Sequence, residues 1–531
     1  MQSSYKLNPD QDQDFLRRRS EVIRELFTKN TREDSAEMND QYNPDDFYSF
    51  ARALQNGVLH ASEDTIGSAL ANMRIFLGNC SELMDSESTI FPILNILCEI
   101  DFIGCSLQIL QNVHRPEYIE CLLEVFEAIF YFPEIQNHDL YRIENTDLLD
   151  EFTKIAIQPQ IILDQESNTF QFGLVSLTSI FGNVHNMSSV LYNSISIYSI
   201  NCIINYISRS NTLIKYTFEN VCPRLYENFI EEKSNEQYVR STDANVIKCI
   251  LYLFRNVVTY LNSVLTPNDL VQFMNTFLEC ISINNLPDSD ALYGILNCIE
   301  QNISVVDLYL NSPLLECLPR FMMNDDSDIS LYSMIAISTI LCLGSAKSRQ
   351  ELLKYINWDN FYQIGYSRKD PAILYALCVA IRKILNKNPM LISNMIDSKL
   401  FYIIVHLAEE GTYEVKMAAF RCIVKRFTLL PMNFLEYMFV TGDFADIMID
   451  FLPELNDKMA IAVIHAFTHV LKVGTSRNII LSLHQKGLYE RLMESIEPLQ
   501  DADDPNLSDQ ACQFIEDFSI TQAEIEDAEE L

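Results

Sequence analysis

Glycine and proline are scarce, at 13 and 17 in 531 residues. That scarcity argues against a turn-rich β fold and against a low-complexity disordered chain. It also leaves little room for a glycine-rich phosphate loop, and none is found. Tryptophan occurs once. Basic residues are few, 38 Lys and Arg against 73 Asp and Glu, for a net charge of −35. A field of that sign disfavours nucleic acid and anionic membrane, and favours cationic partners. The 14 cysteines are scattered singly, with no C-x-x-C pair. Cys105, Cys121, Cys249, Cys298, Cys378 and Cys422 fall in apolar helical stretches and read as small core residues of a reducing compartment. Long hydrophobic runs are missing too. Met334–Ser345 is too short to span a bilayer, and Ile90–Leu110 carries Glu99 and Asp101. The polar start, Met1–Asp14, predicts no secretory signal. A soluble intracellular protein is expected.

What is present is a recurrence. Short apolar helices return roughly every 41–45 positions in the second half of the chain. Cys249-Ile250-Leu251-Tyr252-Leu253-Phe254-Arg255-Asn256 pairs with Leu292-Tyr293-Gly294-Ile295-Leu296-Asn297, and both carry Tyr-x-x-x-Asn. Tyr and Asn then sit one turn apart on one helix face. Ile335–Leu343, Tyr375–Leu385, Met417–Phe427 and Ala462–Val473 follow in phase. The period predicts an all-α, armadillo/HEAT-type right-handed α-solenoid of about ten repeats. Such a fold is a binding surface more often than a catalyst, so no enzyme and no cofactor are expected.

Along the chain, residues 1–45 form a flexible N-terminal segment with a short basic helix over 15–32, residues 46–518 the solenoid, and residues 519–531 an acidic disordered tail. In the basic helix Val22, Ile23, Leu26 and Phe27 share one stripe, with the arginines elsewhere. Thr65–Leu77, Ile90–Gln111, Tyr118–Phe130, Phe170–Val184, Ser194–Ser208 and Leu213–Glu232 read as helices. Ser508–Phe518 reads as a closing helix with Ser508 as its N-cap. Trp358 falls in an expected inter-helix turn.

Several segments together resemble the importin-α family of armadillo adaptors. Arg17-Arg18-Arg19-Ser20-Glu21-Val22-Ile23-Arg24-Glu25-Leu26 is similar to the start of the family's importin-β-binding segment. Tyr252–Asn256 followed by Leu265-Thr266-Pro267-Asn268-Asp269 resembles a repeat whose Trp-x-x-x-Asn helix precedes a long loop. Val470–Gly474, Gly487–Leu492 and Gln510–Phe518 resemble the last repeat and closing helix. The resemblance implies an adaptor of cytoplasm and nucleus. It would hold basic nuclear localisation signals of cargo in a concave groove and bridge them to importin-β, with an export receptor at the C-terminal repeat. Carried over residue by residue, the cargo groove would use Asn183 (with Ser179), Tyr252, Asn256, Tyr293 and Asn297. The importin-β-binding helix would use Arg17, Arg18, Arg19, Arg24, Lys29 and Arg32.

Departures are plain. The family's Trp–Asn ladder is reduced to Tyr–Asn, an earlier repeat carries Leu123 and Glu127 instead, and later repeats show no pair. The second basic cluster is absent, with Ala36-Glu37-Met38-Asn39-Asp40 in its place. The residues by themselves also fit core tyrosines and surface asparagines, and a basic arm lying on the protein's own acidic surface. The alternative function is an armadillo/HEAT protein-interaction scaffold with changed partners and no signal binding.

Other constellations fall away. His465 and His469 have the spacing of two metal ligands but lack a third and the Glu of a protease motif. Gly344-Ser345 reads as a helix-ending turn. Asp325-Asp326 and Asp503-Asp504 read as solvated loop residues.

Overall fold

The structure, a computed structural model, describes residues 44–79, 87–113, 115–130, 144–157, 184–207, 210–229, 244–261, 264–284, 288–472 and 477–529. Among them there are helices and turns and no strand. The chain divides into two compact units, Arg32–Val305 and Val306–Leu531. Each holds a row of stacked helices backed by further helices.

In the first unit the row consists of α1 (Glu63–Asn79), α2 (Pro116–Phe130), α3 (Val184–Ile207), α4 (Ala244–Tyr260) and α5 (Ser289–Gln301), each packed on the next. In the second it consists of α6 (Ser327–Leu343), α7 (Pro371–Lys387), α8 (Tyr413–Ile423), α9 (Asp457–Lys472) and α10 (Pro505–Glu529). There α6 packs on α7, α7 on α8, and α9 on α10; α9 also packs on the 3-10 turn Val424–Leu429 that continues α8. The segments that recur in the sequence lie in these row helices.

Acidic and amide caps mark where five of the row helices, α5, α6, α7, α9 and α10, begin. Asp288 accepts from the Asp290 and Ala291 amides (2.9 and 3.1 Å), Asp326 from those of Asp328 and Ile329 (2.9 and 3.3 Å), and Asp370 from that of Ala372 (2.8 Å). Asn456 serves α9 through the Met459 amide, and Asp504 serves α10 through that of Asn506. A carboxylate there satisfies orphan amide donors and meets the positive end of the helix dipole. Pro371 follows Asp370 at the first helical position, where its missing N–H costs nothing.

Burial on both sides is reconciled with polar residues by local bonding. In α6 every residue from Ile329 to Leu341 is buried. Its Ser333 and Ser338 hydroxyls donate to the carbonyls of Ile329 (2.7 Å) and Met334 (2.8 Å). Cysteines do the same between neighbours: Cys422 Sγ donates to the Cys378 carbonyl at 2.9 Å, and Cys202 Sγ to that of Leu123 at 3.3 Å. Cys105, Cys298, Cys378 and Cys422 are buried as expected, while Cys121 and Cys249 are half-buried. Burial raises the thiol pKa of Cys105 to about 11.

Aromatic side chains tie the rungs together. Phe467 of α9 is 1% exposed and meets Phe439 at 5.6 Å and Phe514 of α10 at 6.5 Å, both edge-on. Phe467→Ala would cost about 3–5 kcal/mol through lost burial and the cavity left behind.

Four expectations change. Ile90–Gln111 is two helices, Glu87–Glu99 and Phe102–Asn112, meeting at 62°. Asp101 sits between them with φ 52° and accepts from the Gly104 amide at 3.2 Å. Hydrophobic periodicity runs on through that turn and hides it. Asn211–Phe229 is one run that contains a π turn, Thr217–Val221. Trp358 opens the helix Trp358–Ser367, capped by Asn357 at the Asp359 amide. The closing helix begins at Pro505, not Ser508, and reaches Glu529, past Phe518. Gln522, Ala523, Glu524 and Glu526 are strong helix formers.

Candidate peptide-binding face

Of the residues expected to line the groove, Asn183 and Ser179 lie outside the described residues, as do Arg17, Arg18, Arg19, Arg24, Lys29 and Arg32 of the basic helix. Tyr252 and Asn256 lie on α4, both half-buried. Tyr293 and Asn297 lie on the adjacent α5 and are 7% and 6% exposed.

The two tyrosines are brought to one cation, and it belongs to the chain itself. The Arg255 guanidinium stands 4.9 Å from the centre of the Tyr252 ring and 4.5 Å from that of Tyr293. It also pairs with Asp290 in the first turn of α5. The arginine side chain is 12% exposed and the aspartate 16%, so the pair is largely desolvated. Ring faces attract cations by their quadrupole, and this site is already filled. The second Asn is likewise engaged: Asn297 Nδ2 donates to Thr259 Oγ1 at 2.7 Å, and that hydroxyl donates to the Arg255 carbonyl at 2.8 Å. Gln301 Nε2 donates to the Val258 carbonyl at 2.7 Å. Tyr293 and Asn297 thus seal α4 to α5, while Tyr252 and Asn256 remain at the half-open face. Arg255 and Asp290 were not among the residues singled out from the sequence, although Arg255 stands inside the Tyr252–Asn256 motif.

A second feature of the same row was only glimpsed in the sequence, as Glu127. Glu120, Glu124 and Glu127 are spaced four and three apart on α2, hence on one face, and all are half-buried. Arg74 of α1 meets Glu124 at 2.7 Å. Asn201 Nδ2 of α3 donates to Glu127 Oε1 at 3.1 Å. Burial, then Glu124, push Glu120 above the usual carboxylate range. Burial does the same to Glu127, against the opposing Asn201 bond. The Tyr198 hydroxyl on α3 is raised too, by burial and by Glu124. Three carboxylates crowd a half-desolvated face, and an incoming cation would relieve both the burial cost and the mutual repulsion. Leu123, expected as the partner of Glu127, is instead fully buried in the core.

Some of the side chains set aside in the sequence have local partners. Among the described residues no group of three His, Cys, Asp or Glu is placed to hold a metal. His465 Nε2 is hydrogen-bonded to Gln510 Oε1 at 2.9 Å. Ser345 caps the helix Ala346–Tyr355, accepting from the Ser348 amide at 3.1 Å and donating to Asp307 at 2.7 Å. No single helix among the described residues is long and apolar enough to cross a membrane.

No protein-family model and no curated protein matches the chain. Solved structures do. An engineered protein is 12% identical with a TM-score of 0.55, covering 91% of this chain and 99% of its own. A chain from a structure of the cadherin–β-catenin interaction is 11% identical with a TM-score of 0.47, covering 88% and 97%. A designed armadillo repeat protein in complex with the peptide (KR)4 is 14% identical with a TM-score of 0.35, covering 48% and 98%. At these identities the likeness is one of fold alone; the stacked helix rows make the protein an all-α solenoid of the armadillo/HEAT type.

Proposed function

We propose that this solenoid is a non-catalytic adaptor of the importin-α kind, which takes a basic segment of a cargo protein on its first unit and is carried through the N-terminal basic segment by importin-β. The observation that carries the first half is the row of Glu120, Glu124 and Glu127 on α2, met by one arginine, Arg74. Lysines of an extended peptide would neutralise carboxylates that the fold holds half out of water, through charge-assisted hydrogen bonds. Asn201 and Asn256 on the neighbouring helices offer amides to a peptide backbone, since each side chain can donate and accept. The second half rests on the arginine run Arg17–Arg19 with Arg24, Lys29 and Arg32, which suits an acidic partner surface. Passage between cytoplasm and nucleus would follow.

One observation favours the alternative, a scaffold with changed partners. The ring slot between Tyr252 and Tyr293 holds Arg255 and leaves no room there for a lysine of the cargo.

Two titrations separate these readings. A fluorescein-labelled Lys/Arg-rich peptide is titrated with the full chain and with Glu120→Gln/Glu127→Gln. Importin-β is titrated with the full chain and with Arg17→Ala/Arg18→Ala/Arg19→Ala. The adaptor reading expects both to bind, each weakened about tenfold or more by its variant, equivalent to about 1.4 kcal/mol. Absence of peptide binding to the intact chain would leave the scaffold reading.

A further inference from the structure

The second unit carries a cluster of the opposite sign. Cys422 Sγ bonds the Cys378 carbonyl and so sets α8 in register with α7. One turn beyond Cys378 stands Arg382, and one turn beyond Cys422 stands Arg426. Arg421 precedes them on α8, Lys425 lies on the 3-10 turn that follows, and Lys458 comes from the first turn of α9, which packs on that turn. The largest charge effects on Lys425 come from the cations Arg426, Arg382, Lys458 and Arg421. Burial first, and then these four, hold its ammonium below the usual lysine value. Part of the Lys425 side chain is sunk among these neighbours while the rest is open to solvent, and Lys458 is exposed.

Arg426 supplies an independent sign of a vacancy. It is 4% exposed. Its Nη2 donates to Asn386 Oδ1, while Nε and Nη1 have no acceptor. A buried guanidinium with unused donors is costly, and burial together with Arg382 lowers its pKa. In a chain with 73 acidic residues, a buried arginine with idle donors beside an exposed lysine whose strongest charge neighbours are cations marks a place kept for an anion from outside.

We propose that this face, formed by Arg382, Lys425, Arg426 and Lys458 on α7, α8 with its 3-10 turn, and α9, is a docking site for an acidic segment of a partner protein. Carboxylates spaced along an extended peptide would meet the exposed lysines and bring negative charge close to the buried, under-satisfied Arg426 guanidinium. Charge complementarity selects the occupant. A nucleic acid backbone would bring a long run of phosphates against a chain of net charge −35 and find only this small patch, whereas a short acidic peptide need cover nothing else. The site is independent of the basic-segment face proposed on α2, and one can fail without the other.

The test is fluorescence anisotropy of a labelled Glu/Asp-rich dodecapeptide with the full chain at moderate salt. A Lys-rich peptide, a single-stranded oligonucleotide and inorganic pyrophosphate serve as comparisons. Saturable binding of the acidic peptide is expected, weakened about tenfold by Lys425→Glu or Lys458→Glu and retained by Lys425→Arg. Arg426→Met separates a binding role from a structural one. It removes a buried unsatisfied cation, so thermal stability should hold or rise while peptide affinity falls. No binding of the acidic peptide, binding indifferent to both charge reversals, or tighter binding of the oligonucleotide or pyrophosphate would each overturn the proposal.

Discussion

Arg255→Met is the most exacting single perturbation of the first unit. It keeps most of the aliphatic stem and removes the charge that Tyr252, Tyr293 and Asp290 all face. Asp290 would then be a largely buried carboxylate, 16% exposed, without its cation. Removing one member of a buried pair costs about 3–5 kcal/mol, and residual exposure of both groups puts this pair at the lower end. The two ring contacts share the same charge and add about 1 kcal/mol between them, not one full increment each. A loss of about 3–4 kcal/mol is expected for the first unit.

Urea denaturation followed by helical ellipticity reads it, with Trp358 fluorescence as the internal control, because that residue lies in the other unit. A double-mutant cycle with Asp290→Asn isolates the pair, and a coupling of about 2 kcal/mol is expected. Arg255→Ala should also bare the ring faces and raise affinity for a Lys-rich peptide roughly 2–5-fold, the worth of an exposed cation–π contact. A loss below about 1 kcal/mol with no coupling would refute the filled-slot account.

Asn297→Ala deletes the bond to Thr259 Oγ1; it should cost about 1–2 kcal/mol in a urea melt and leave basic-peptide affinity unchanged. Gly294→Ala places a Cβ 2.3 Å from the fully buried Phe277 ring, so the ring must shift and the melting temperature fall, at about 1–3 kcal/mol. Glu120 and Glu127 have folded pKa values above the ordinary 4.5. Between that value and the raised ones the folded state holds more protons than the unfolded, so stability falls as pH rises across the window. Glu127→Gln should flatten that slope and raise stability at pH 7, as a pH series of urea midpoints would show. A bound cationic peptide stabilises the ionised form, so its affinity should rise with pH through the same window, measured by anisotropy.

The rows were legible because their signals are local. Several row helices announce themselves by a cap such as Asp288, Asp326 or Asp370 and then by an apolar run with small residues, and the period places the next. What was not legible depends on partners far along the chain. Arg255 and Asp290 are 35 positions apart, and nothing in Tyr-Leu-Phe-Arg-Asn says that its arginine turns back between two tyrosines. Asn297 looked like its counterpart Asn256, yet one seals α4 to α5 and the other stands at the half-open face, a difference set by the neighbouring helix. The break at Asp101 was hidden because a left-handed residue stabilised by the Gly104 amide leaves the hydrophobic period unbroken.

Net charge misleads for a related reason. Many of the acidic residues are spent inside the fold: Asp288, Asp326, Asp370 and Asp504 cap helices, and Asp290, Glu63, Asp446 and Asp450 face arginines. Charge committed in this way projects little field toward a partner, since cap and counter-ion screen it within a few ångström. What a partner meets is the remainder, and the remainder is sorted by unit. Glu120 and Glu127 leave negative charge on one row, and Lys425, Arg426 and Lys458 leave positive charge on the other. A sum over the chain predicts cationic partners alone. The placement of the charges predicts two classes of segment, each rejected by the face that takes the other, because like charges at a half-desolvated surface repel more strongly than in water. Swapping the peptides between the two sets of variants decides it: Lys425→Glu should leave the basic peptide's affinity as it was, and Glu120→Gln/Glu127→Gln should leave the acidic peptide's. Cross-sensitivity would mean that long-range charge, and not these side chains, governs binding.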